Sequence, residues 1–394
     1  MFQDQRLEPD PEIDISEAGA ARLAITQRLS DIITWPSTRI APHERQLAGD
    51  LLVGLLRVCP IDVRRKCALK LSSIMEAPKG VLRYLARDEI AVASILLLES
   101  KSLDDVDLID TIRAATPAHV EAIAQRKQVS EAVSEAIVRR GEIGPIATLL
   151  QNGGARFAQS TLNTVVRISR EHRKIVGLVA RREELKPTQG LTLFWWSGRD
   201  TRAALLRRFA VDRTTLIAEM AEFFPLSNTD AMADPEVRKA LQFVERRQRS
   251  RKAAEVSAAG TVEKLIETIL AQGGLSRDLV GEFAHLCGLR PAAAARILTD
   301  SSGEAVAVLA KAIGLKREPF TMLWRATRPA DDAGFEAVLV AYETLSASKA
   351  QTVLRYWNWG LTADTALAPE PNGDADLDFT PARRFFSLVR SQDL

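Results

Sequence analysis

The sequence is poor in the residues that cross-link a chain or bind a metal. Its 394 residues include three cysteines, Cys59, Cys67 and Cys287, and four histidines. The cysteines are odd in number and lack Cys-x-x-Cys spacing, which argues against a disulfide framework and against a zinc site. The histidines are scattered, without a second His or a Cys at the spacing of metal ligands. We therefore predict no metal-binding residues.

Long apolar runs and leader signals are also scarce. The longest run, Ala91 to Leu98, is far shorter than the roughly 20 residues that span a bilayer. The N-terminal stretch MFQDQRLEPDPEID is acidic and has no apolar segment of the kind found in signal peptides. We expect a cytoplasmic protein with no membrane partner.

Sequence motifs for nucleotide binding and for nucleophilic catalysis are missing as well. There is no GxxxxGK(S/T) loop, no GxGxxG after a strand and no GxSxG elbow. The formal net charge of +2 is too small to imply a polyanionic partner by itself. From these absences we predict that the chain is not an enzyme and has no catalytic residues, no cofactor-binding residues and no cofactor.

What the sequence does contain is helical periodicity. Apolar residues recur at three-residue steps at Leu103, Val106, Ile109 and Ile112, and similar spacing follows in later segments. Alternating strand patterns and Asn-Gly or Asp-Gly hairpin signals are nearly absent. We predict an all-α protein.

The predicted helices form related pairs. The segments around Pro60, Pro117 and Glu171 each have an apolar helix, a short break and a second helix that ends in basic residues, at a spacing of about 55 to 57 residues. A shorter helix, Glu131 to Arg139, fits between successive pairs. We also predict that Asn152-Gly153-Gly154 stops a helix because Asn and Gly tolerate the left-handed cap conformation. The pattern indicates stacked helical hairpins, each covering its neighbour's apolar face.

A second repeat occurs further along the chain. HLCGLRPAAAARIL, from His285 to Leu298, is echoed by KAIGLKREPFTMLW, in which Gly314 matches Gly288. The shape is that of a DNA-reading helix-turn-helix, but the second helix begins with Pro291 and four alanines. Alanine offers a base edge at most contact with a thymine methyl group, whereas alanines allow close helix packing. We therefore interpret the motif as a structural hairpin.

Composition divides the chain into six segments. They are an N-terminal acidic segment and helix (1–40), a helical repeat domain (41–232), a basic linking helix (233–258), a C-terminal helical hairpin domain (259–360), a disordered linker (361–379) and a short C-terminal helix (380–394). The predicted architecture is a stack of helical hairpins followed by a smaller helical bundle.

Two groups of residues are candidate protein-binding sites. In LFWWSGRDTR, Trp195 and Trp196 cannot both point inward from one helix face, and Arg199 and Arg202 follow them. Aromatic and arginine side chains are favoured binding anchors. The alternative is that both rings fill a junction between hairpins. Phe385 and Phe386, in the C-terminal helix, are the second candidate group because they could dock in a groove.

A basic run is the candidate nucleic-acid site. It comprises Arg246, Arg247, Arg249, Arg251 and Lys252. Such side chains can contact phosphates, but a solvated helix face is their ordinary explanation.

The chain resembles a known bacterial family. The stretch NGGAR (Asn152 to Arg156), the segment LFWWSG before a basic helix, and the paired Gly-Leu-Arg and Gly-Leu-Lys hairpins carry the resemblance. The family is DUF2336, an uncharacterised family found mainly in alphaproteobacteria and described as HEAT-like. The resemblance spans about residues 45–330 and implies a cytoplasmic, HEAT-like α-solenoid. It supplies no activity and no catalytic residues.

Three functions follow from these observations. The favoured one is a non-enzymatic scaffold or adaptor that binds another protein, in bacterial signalling or cell-cycle regulation. The second is binding of the nucleic-acid backbone through a basic helical surface. The third is a helical-repeat enzyme such as a base-excision type glycosylase, for which Asp200, beside Trp195, Trp196 and Arg199, is the one local carboxylate that could serve.

Overall fold

The structure is a computed structural model that describes residues 15–211, 213, 215–216, 236–237, 240, 257, 259–328 and 334–363, with the side chains of 15–18 and 359–363 left out. Within these residues the regular structure is helical, which confirms the all-α prediction, and one isolated bridge joins Val129 and Ala155. The candidate residues Phe385 and Phe386 lie outside the described residues. So do the five candidate nucleic-acid residues, Arg246, Arg247, Arg249, Arg251 and Lys252.

The chain divides into two compact units, one up to Val165 and one from Val166 onward. The helices of the first unit are α1 (Ile15–Ile33), α2 (Pro42–Leu56), α3 (Ile61–Ser72), α4 (Lys79–Ala86), α5 (Ile90–Glu99), α6 (Asp105–Ala114), α7 (Pro117–Ala124), α8 (Glu131–Arg140) and α9 (Ile143–Gln151). Helix α10 (Gln159–Ser169) contains the point of division.

The second unit continues with helices from both halves of the sequence. They are α11 (Val176–Arg181), α12 (Pro187–Leu193), α13 (Arg199–Phe209), α14 (Val262–Ala271), α15 (Arg277–Cys287), α16 (Pro291–Leu298), α17 (Glu304–Ile313), α18 (Arg317–Thr327), α19 (Phe335–Thr344) and α20 (Ala347–Ala363). Residues 166–211 fall in the second unit of this division, and the predicted repeat domain 41–232 stays a prediction.

The first unit is built of two layers. Helices α3, α5, α7 and α9 contact one another in succession, and so do α2, α4, α6 and α8. Each helix thus packs against the helix two places further along the chain, as expected for stacked hairpins. The buried side chains are apolar, for example Leu52, Leu85, Leu96, Ile123 and Leu149. This packing is consistent with the predicted helical repeat.

The length of the repeat differs from the prediction. Helices α3, α5, α7 and α9 begin at Ile61, Ile90, Pro117 and Ile143, so the interval is 26 to 29 residues. The predicted spacing of about 55 to 57 residues is wrong because it joins α3 to α7 and passes over α5. Helix α5 reads IAVASILLLE and is apolar on all sides, so it lacks the amphipathic pattern that marks its neighbours.

Consecutive repeats are joined by a recurring hydrogen bond, in which a side chain after one helix donates to backbone carbonyls at the end of the preceding repeat. Arg126, just after α7, donates to the carbonyls of Leu97 and Ser100 at 2.5 and 2.6 Å. Asn152, just after α9, donates to those of Ala124 and Arg126 at 2.8 and 2.7 Å. The last carbonyls of a helix have no partner within it, so the following repeat supplies one.

The same arrangement occurs at two further places. Ser102, which follows α5, donates to the carbonyls of Ile74 and Met75 at 2.6 and 2.7 Å. In the second unit Arg208 of α13 donates to the carbonyls of Ala180, Arg182 and Glu183, which end α11. In each of these four places the donor and the acceptor are separated by about one repeat length in the sequence.

Helix α9 ends after Gln151 without the left-handed cap that the sequence predicts. Asn152 has φ −76° and ψ 110°, and neither Gly153 nor Gly154 has positive φ, so no left-handed cap forms. Gly154 is required because a Cβ atom there would lie 2.0 Å from the carbonyl oxygen of Lys127. That close approach lets the Gly154 carbonyl accept a hydrogen bond from the Val129 amide at 3.2 Å.

A buried helix organises the second unit. Helix α17 buries every residue from Glu304 to Ala310 and contacts α13, α16, α18, α19 and α20. Helix α16 presents Ala293, Ala294 and Ala295 to the interior, as the hairpin interpretation requires. The alanines are thus used for packing.

The two Gly-Leu turns are alike, as the sequence repeat predicts. Gly288 ends α15 with φ +67° and Gly314 ends α17 with φ +79°. In both turns the amide of the following leucine donates to a carbonyl five residues back, Leu289 to Ala284 and Leu315 to Ala310. This is the Schellman arrangement, in which a left-handed residue closes the helix.

Replacing either of these glycines with valine is expected to destabilise the second unit. A β-branched residue in the left-handed region costs about 1 to 2 kcal/mol. We predict a matching loss in the free energy of unfolding for Gly288→Val and Gly314→Val, measured by urea denaturation. Gly281, inside α15 with open space around its Cβ position, is the control. Gly281→Ala should stabilise by about 0.5 to 1 kcal/mol, and equal effects at all three sites would contradict the assignment.

Candidate functional site

The predicted tryptophan pair lies on a short 3-10 turn, Phe194–Trp196, between α12 and α13. The Trp195 ring packs against Trp357 with ring centroids 4.9 Å apart and meets Phe194 edge-on at 5.5 Å. The guanidinium carbon of Arg296 lies 4.3 Å from the Trp195 centroid, a cation–π distance. Trp195 therefore has aromatic and cationic neighbours from its own unit.

Trp196 is fixed separately. Its indole nitrogen donates to Oγ of Ser169 at 2.9 Å, a link across 27 residues of sequence. Both tryptophans are half-buried. The interior contacts are those expected when the rings fill a junction, and the remaining exposed area of each ring stays accessible.

Arg202 and Arg199, on α13, occupy different environments. Arg202 is 6% exposed, and its Nη1 lies 2.8 and 2.9 Å from the two carboxylate oxygens of Asp300. Its Nε donates to the Ser197 carbonyl at 2.9 Å. Arg199 is exposed, with Nε 3.7 Å from Oε1 of Glu304. Arg202 is therefore engaged inside the unit, and Arg199 remains at its surface.

These contacts form a charged cluster of three buried residues, Arg202, Asp300 and Glu304, with Arg199 at its surface edge, and we call it the Arg202 cluster. Asp300 and Glu304 are 8% and 1% exposed, and Glu304 Oε2 lies 3.5 Å from Nη1 of Arg202. Asp300 Oδ2 also accepts from the amide of Gly303 at 3.0 Å, at the start of α17. The cluster thus neutralises the charged end of an otherwise apolar helix.

Sequence reasoning missed the two carboxylates of this cluster. Arg202 and Asp300 are 98 residues apart, and nothing near Asp300 in the sequence indicates an ion-pair partner. The surroundings are also basic: burial, and repulsion from Arg170, lower the pKa of Arg296 to about 10, with Asp300 acting in the opposite direction. Chemically the cluster is suited to joining α13 to α17, since its carboxylates are held by cations.

Removing the cation is expected to destabilise the second unit strongly. We predict that Arg202→Met lowers the free energy of unfolding by about 3 to 5 kcal/mol, because it leaves the Asp300 carboxylate buried without its cation and Glu304 with only the more distant Arg199. Arg207→Met, at an exposed position of the same helix, is the matched control and should cost under about 1 kcal/mol. Thermal melting followed by circular dichroism measures both. Equal melting temperatures for the two variants would contradict the interior role.

One histidine and two thiols lie in the interior of the protein. His119 is buried, with Nε2 2.7 Å from the Asp88 carbonyl and Nδ1 2.7 Å from Oγ1 of Thr116. Because a carbonyl only accepts, Nε2 carries the proton and Nδ1 accepts from the hydroxyl. Burial raises the pKa of the Cys67 and Cys287 thiols, which keeps them protonated. Among the residues described, His, Cys, Asp and Glu form no group of three that could hold a metal ion.

A set of exposed apolar residues that the sequence did not single out lies in the first unit. Seven large apolar side chains between α1 and the turn after α3 are exposed, and we call them the N-terminal apolar surface. They are Ile25, Trp35, Leu47, Leu51, Val58, Leu69 and Met75, each between 44% and 68% exposed. Scattered exposed apolar residues are ordinary, but a concentration of them marks interaction sites.

Helix α2 contributes two of these seven residues, and Val58 lies in the turn that follows it. It buries Ala48, Leu52 and Leu56, while Leu47 and Leu51 point outward. The helix is therefore apolar on two opposite faces, although one such face is sufficient for a repeat. The segment LAGDLLVGLL carries this signal, because it has more apolar residues than one face of a helix needs.

A family model described as "Uncharacterised protein conserved in bacteria (DUF2336)" matches residues 92–355. The chain belongs to the DUF2336 family. The match begins and ends later than the resemblance seen in the sequence, and it includes the Arg202 cluster and both Gly-Leu turns. Helix α2 of this DUF2336 protein lies outside the match. Searches of curated proteins and of solved structures found no match. In the portion of this DUF2336 protein that is described, every helix is too short or too polar to cross a membrane.

Proposed function

We propose that this DUF2336 protein is a non-enzymatic, cytoplasmic scaffold that binds another protein through its N-terminal apolar surface. The observation that carries the proposal is the set of exposed apolar side chains on the first helices and the turns after them, with Leu47, Val58 and Met75 62%, 65% and 68% exposed. Helical repeats bury their apolar residues against neighbouring hairpins. Apolar side chains left outside that packing are available to a partner.

The chemistry of the surface indicates the kind of partner. The apolar residues are bordered by exposed charges of both signs, among them Asp62, Arg65, Lys66 and Lys70. Protein interfaces combine an apolar centre with a polar rim, and a few central side chains supply most of the affinity. A partner protein with its own apolar patch fits this arrangement better than a small polar ligand does.

The half-exposed rings of Trp195 and Trp196, together with Arg199, remain a second proposed protein-binding position in the other unit. What supports it is their residual exposed area, since Arg202 is occupied by Asp300. Tryptophan and arginine are enriched among side chains that dominate binding energy.

Capture of a partner from native bacterial cytoplasm tests the main proposal. Tagged full-length chain, cross-linked before lysis, should recover a stoichiometric protein partner. Leu69→Glu and Met75→Glu place a charge on the N-terminal apolar surface and should reduce recovery at least about tenfold, because burying an unpaired charge is costly. Val340→Glu, at a site 58% exposed on α19, is the matched control and should recover the partner normally.

The same experiment can contradict the proposal. Equal recovery with Leu69→Glu, Met75→Glu and Val340→Glu would assign binding to another surface. Recovery of no stoichiometric partner by the wild-type chain would reject the scaffold function. Circular dichroism of the three variants checks that each remains folded.

Binding of the nucleic-acid backbone is a second proposal, supported by the charge of residues 166–211. Nine exposed side chains of that segment are basic and three are acidic. The basic ones are Arg167, Arg170, Arg173, Lys174, Arg181, Lys186, Arg199, Arg207 and Arg208. Phosphate contacts are made by such side chains without sequence specificity.

Salt titration decides this second proposal. If the segment contacts phosphates, the logarithm of the affinity for duplex DNA or RNA should fall linearly with the logarithm of salt concentration. Arg173→Glu combined with Lys174→Glu should reduce both the affinity and the slope, whereas Leu69→Glu should change neither. The absence of binding at low salt rejects the proposal.

A further inference from the structure

The outer face of α2 carries a heptad pattern. Leu47, Leu51 and Gly54 of α2, and Val58 in the turn two residues past its end, follow one another at steps of four, three and four residues. We call these four residues the α2 stripe. In heptad letters they occupy d, a, d and a, the positions that form the seam between paired helices. Leu47, Leu51 and Val58 are 62%, 57% and 65% exposed. The stripe is thus an exposed seam for one more helix.

The other face of α2 already has its partners. Helices α1 and α4 contact α2, and Ala48, Leu52 and Leu56 are buried. A Cβ atom at Gly49 would lie 2.7 Å from Cβ of Pro78, so this inner face is tightly packed against the start of α4. The inner packing cannot use the α2 stripe, since the two sets of residues point in opposite directions.

Gly54 lies in the middle of the stripe. No heavy atom lies within 4 Å of the position its Cβ would occupy, so the glycine is not needed for packing within its own chain. A glycine between two apolar side chains lets a second helix backbone come close. The helical backbone continues through Arg57, with φ −57° and ψ −30°, toward Val58.

The charged residues beside the stripe are complementary to those of a second copy that runs in the opposite direction. Asp50 and Arg57 are both exposed, and both occupy the g position that precedes an a residue. In antiparallel helix pairs g faces g, so Asp50 of one copy meets Arg57 of the second copy, twice by symmetry. In parallel pairs g faces e, where the sequence has Ala48 and Leu55. The charge pattern therefore selects the antiparallel direction.

We propose that the α2 stripe pairs antiparallel with the α2 stripe of a second copy, which makes the chain a homodimer. The proposal rests on the proposed function only in that both use the exposed apolar residues of the first helices. An interface of four layers on one helix per copy is smaller than the standard size of stable protein interfaces. The dimer is therefore concentration-dependent.

Sedimentation equilibrium of the purified full-length chain over a range of concentrations tests this pairing. The wild type should show a monomer–dimer equilibrium, and Leu51→Glu should be monomeric throughout. Leu69→Glu, on α3, is the matched control and should dimerise like the wild type. Because Leu69→Glu should lose the partner protein while Leu51→Glu loses the dimer, failure of one proposal is distinguishable from failure of the other.

A charge exchange tests the direction of pairing. Asp50→Arg alone and Arg57→Asp alone should each weaken dimerisation about tenfold, because each sets like charges opposite one another. The double variant Asp50→Arg with Arg57→Asp should return the dissociation constant to within about threefold of wild type. Failure of the double variant to recover, with its melting curve unchanged, overturns the antiparallel arrangement.

Two other results overturn the proposal outright. One is a dimer that persists in Leu51→Glu. The other is a wild-type chain that remains monomeric at every concentration and dimerises only after removal of residues 1–14 or 364–394. That second result would assign the stripe to a segment of its own chain.

Discussion

The unsatisfied carbonyls at helix ends set the main constraint on the first unit. From α3 to α9 the helices have only 8 to 12 residues, so a large share of their backbone acceptors lack partners inside the helix. The chain meets this demand from the next repeat, through Arg126 and Asn152. In each case a side chain just after one helix is hydrogen-bonded to carbonyls at the end of the helix one repeat earlier. Adjacent hairpins therefore stabilise each other at an interval of 26 to 29 residues.

In the second unit the main constraint is the burial of helix α17. A helix as apolar as α17 is stable only when it is surrounded, and five helices surround it. Its first turn nevertheless contains Glu304 and is capped by Asp300, so burial would leave two carboxylates without water. Arg202 supplies the compensating charge from α13. That cation is one of the contacts that join residues 166–211 to the later helices.

The parts of the structure that local chemistry determines could be predicted from the sequence, and the parts determined by distant contacts could not. Helical periodicity indicated the all-α fold, and Gly288 and Gly314 are left-handed, as their repeated turns required. Helix α5 was overlooked because uniform apolarity hides periodicity, which doubled the apparent repeat. Gly154 was assigned a left-handed cap because its close contact with the Lys127 carbonyl has no local signature. Asp300 could not be connected to Arg202 for the same reason.

Helix α2, which has one buried and one exposed apolar face, shows the same difference between what the local sequence and the tertiary packing reveal. A sequence shows how many apolar residues a helix has, but only the fold shows which of them the neighbouring helices cover. In α2 the neighbours cover Ala48, Leu52 and Leu56, whereas Leu47 and Leu51, with Val58 just past the helix end, remain exposed. An apolar face that adds nothing to the stability of its own chain lowers solubility and so carries a cost. The placement of Asp50 and Arg57 beside it provides a direction for pairing, which hydrophobic contact alone does not. In the proposed pairing, apolar contact therefore supplies the affinity and the charges set the direction in which the two helices pair.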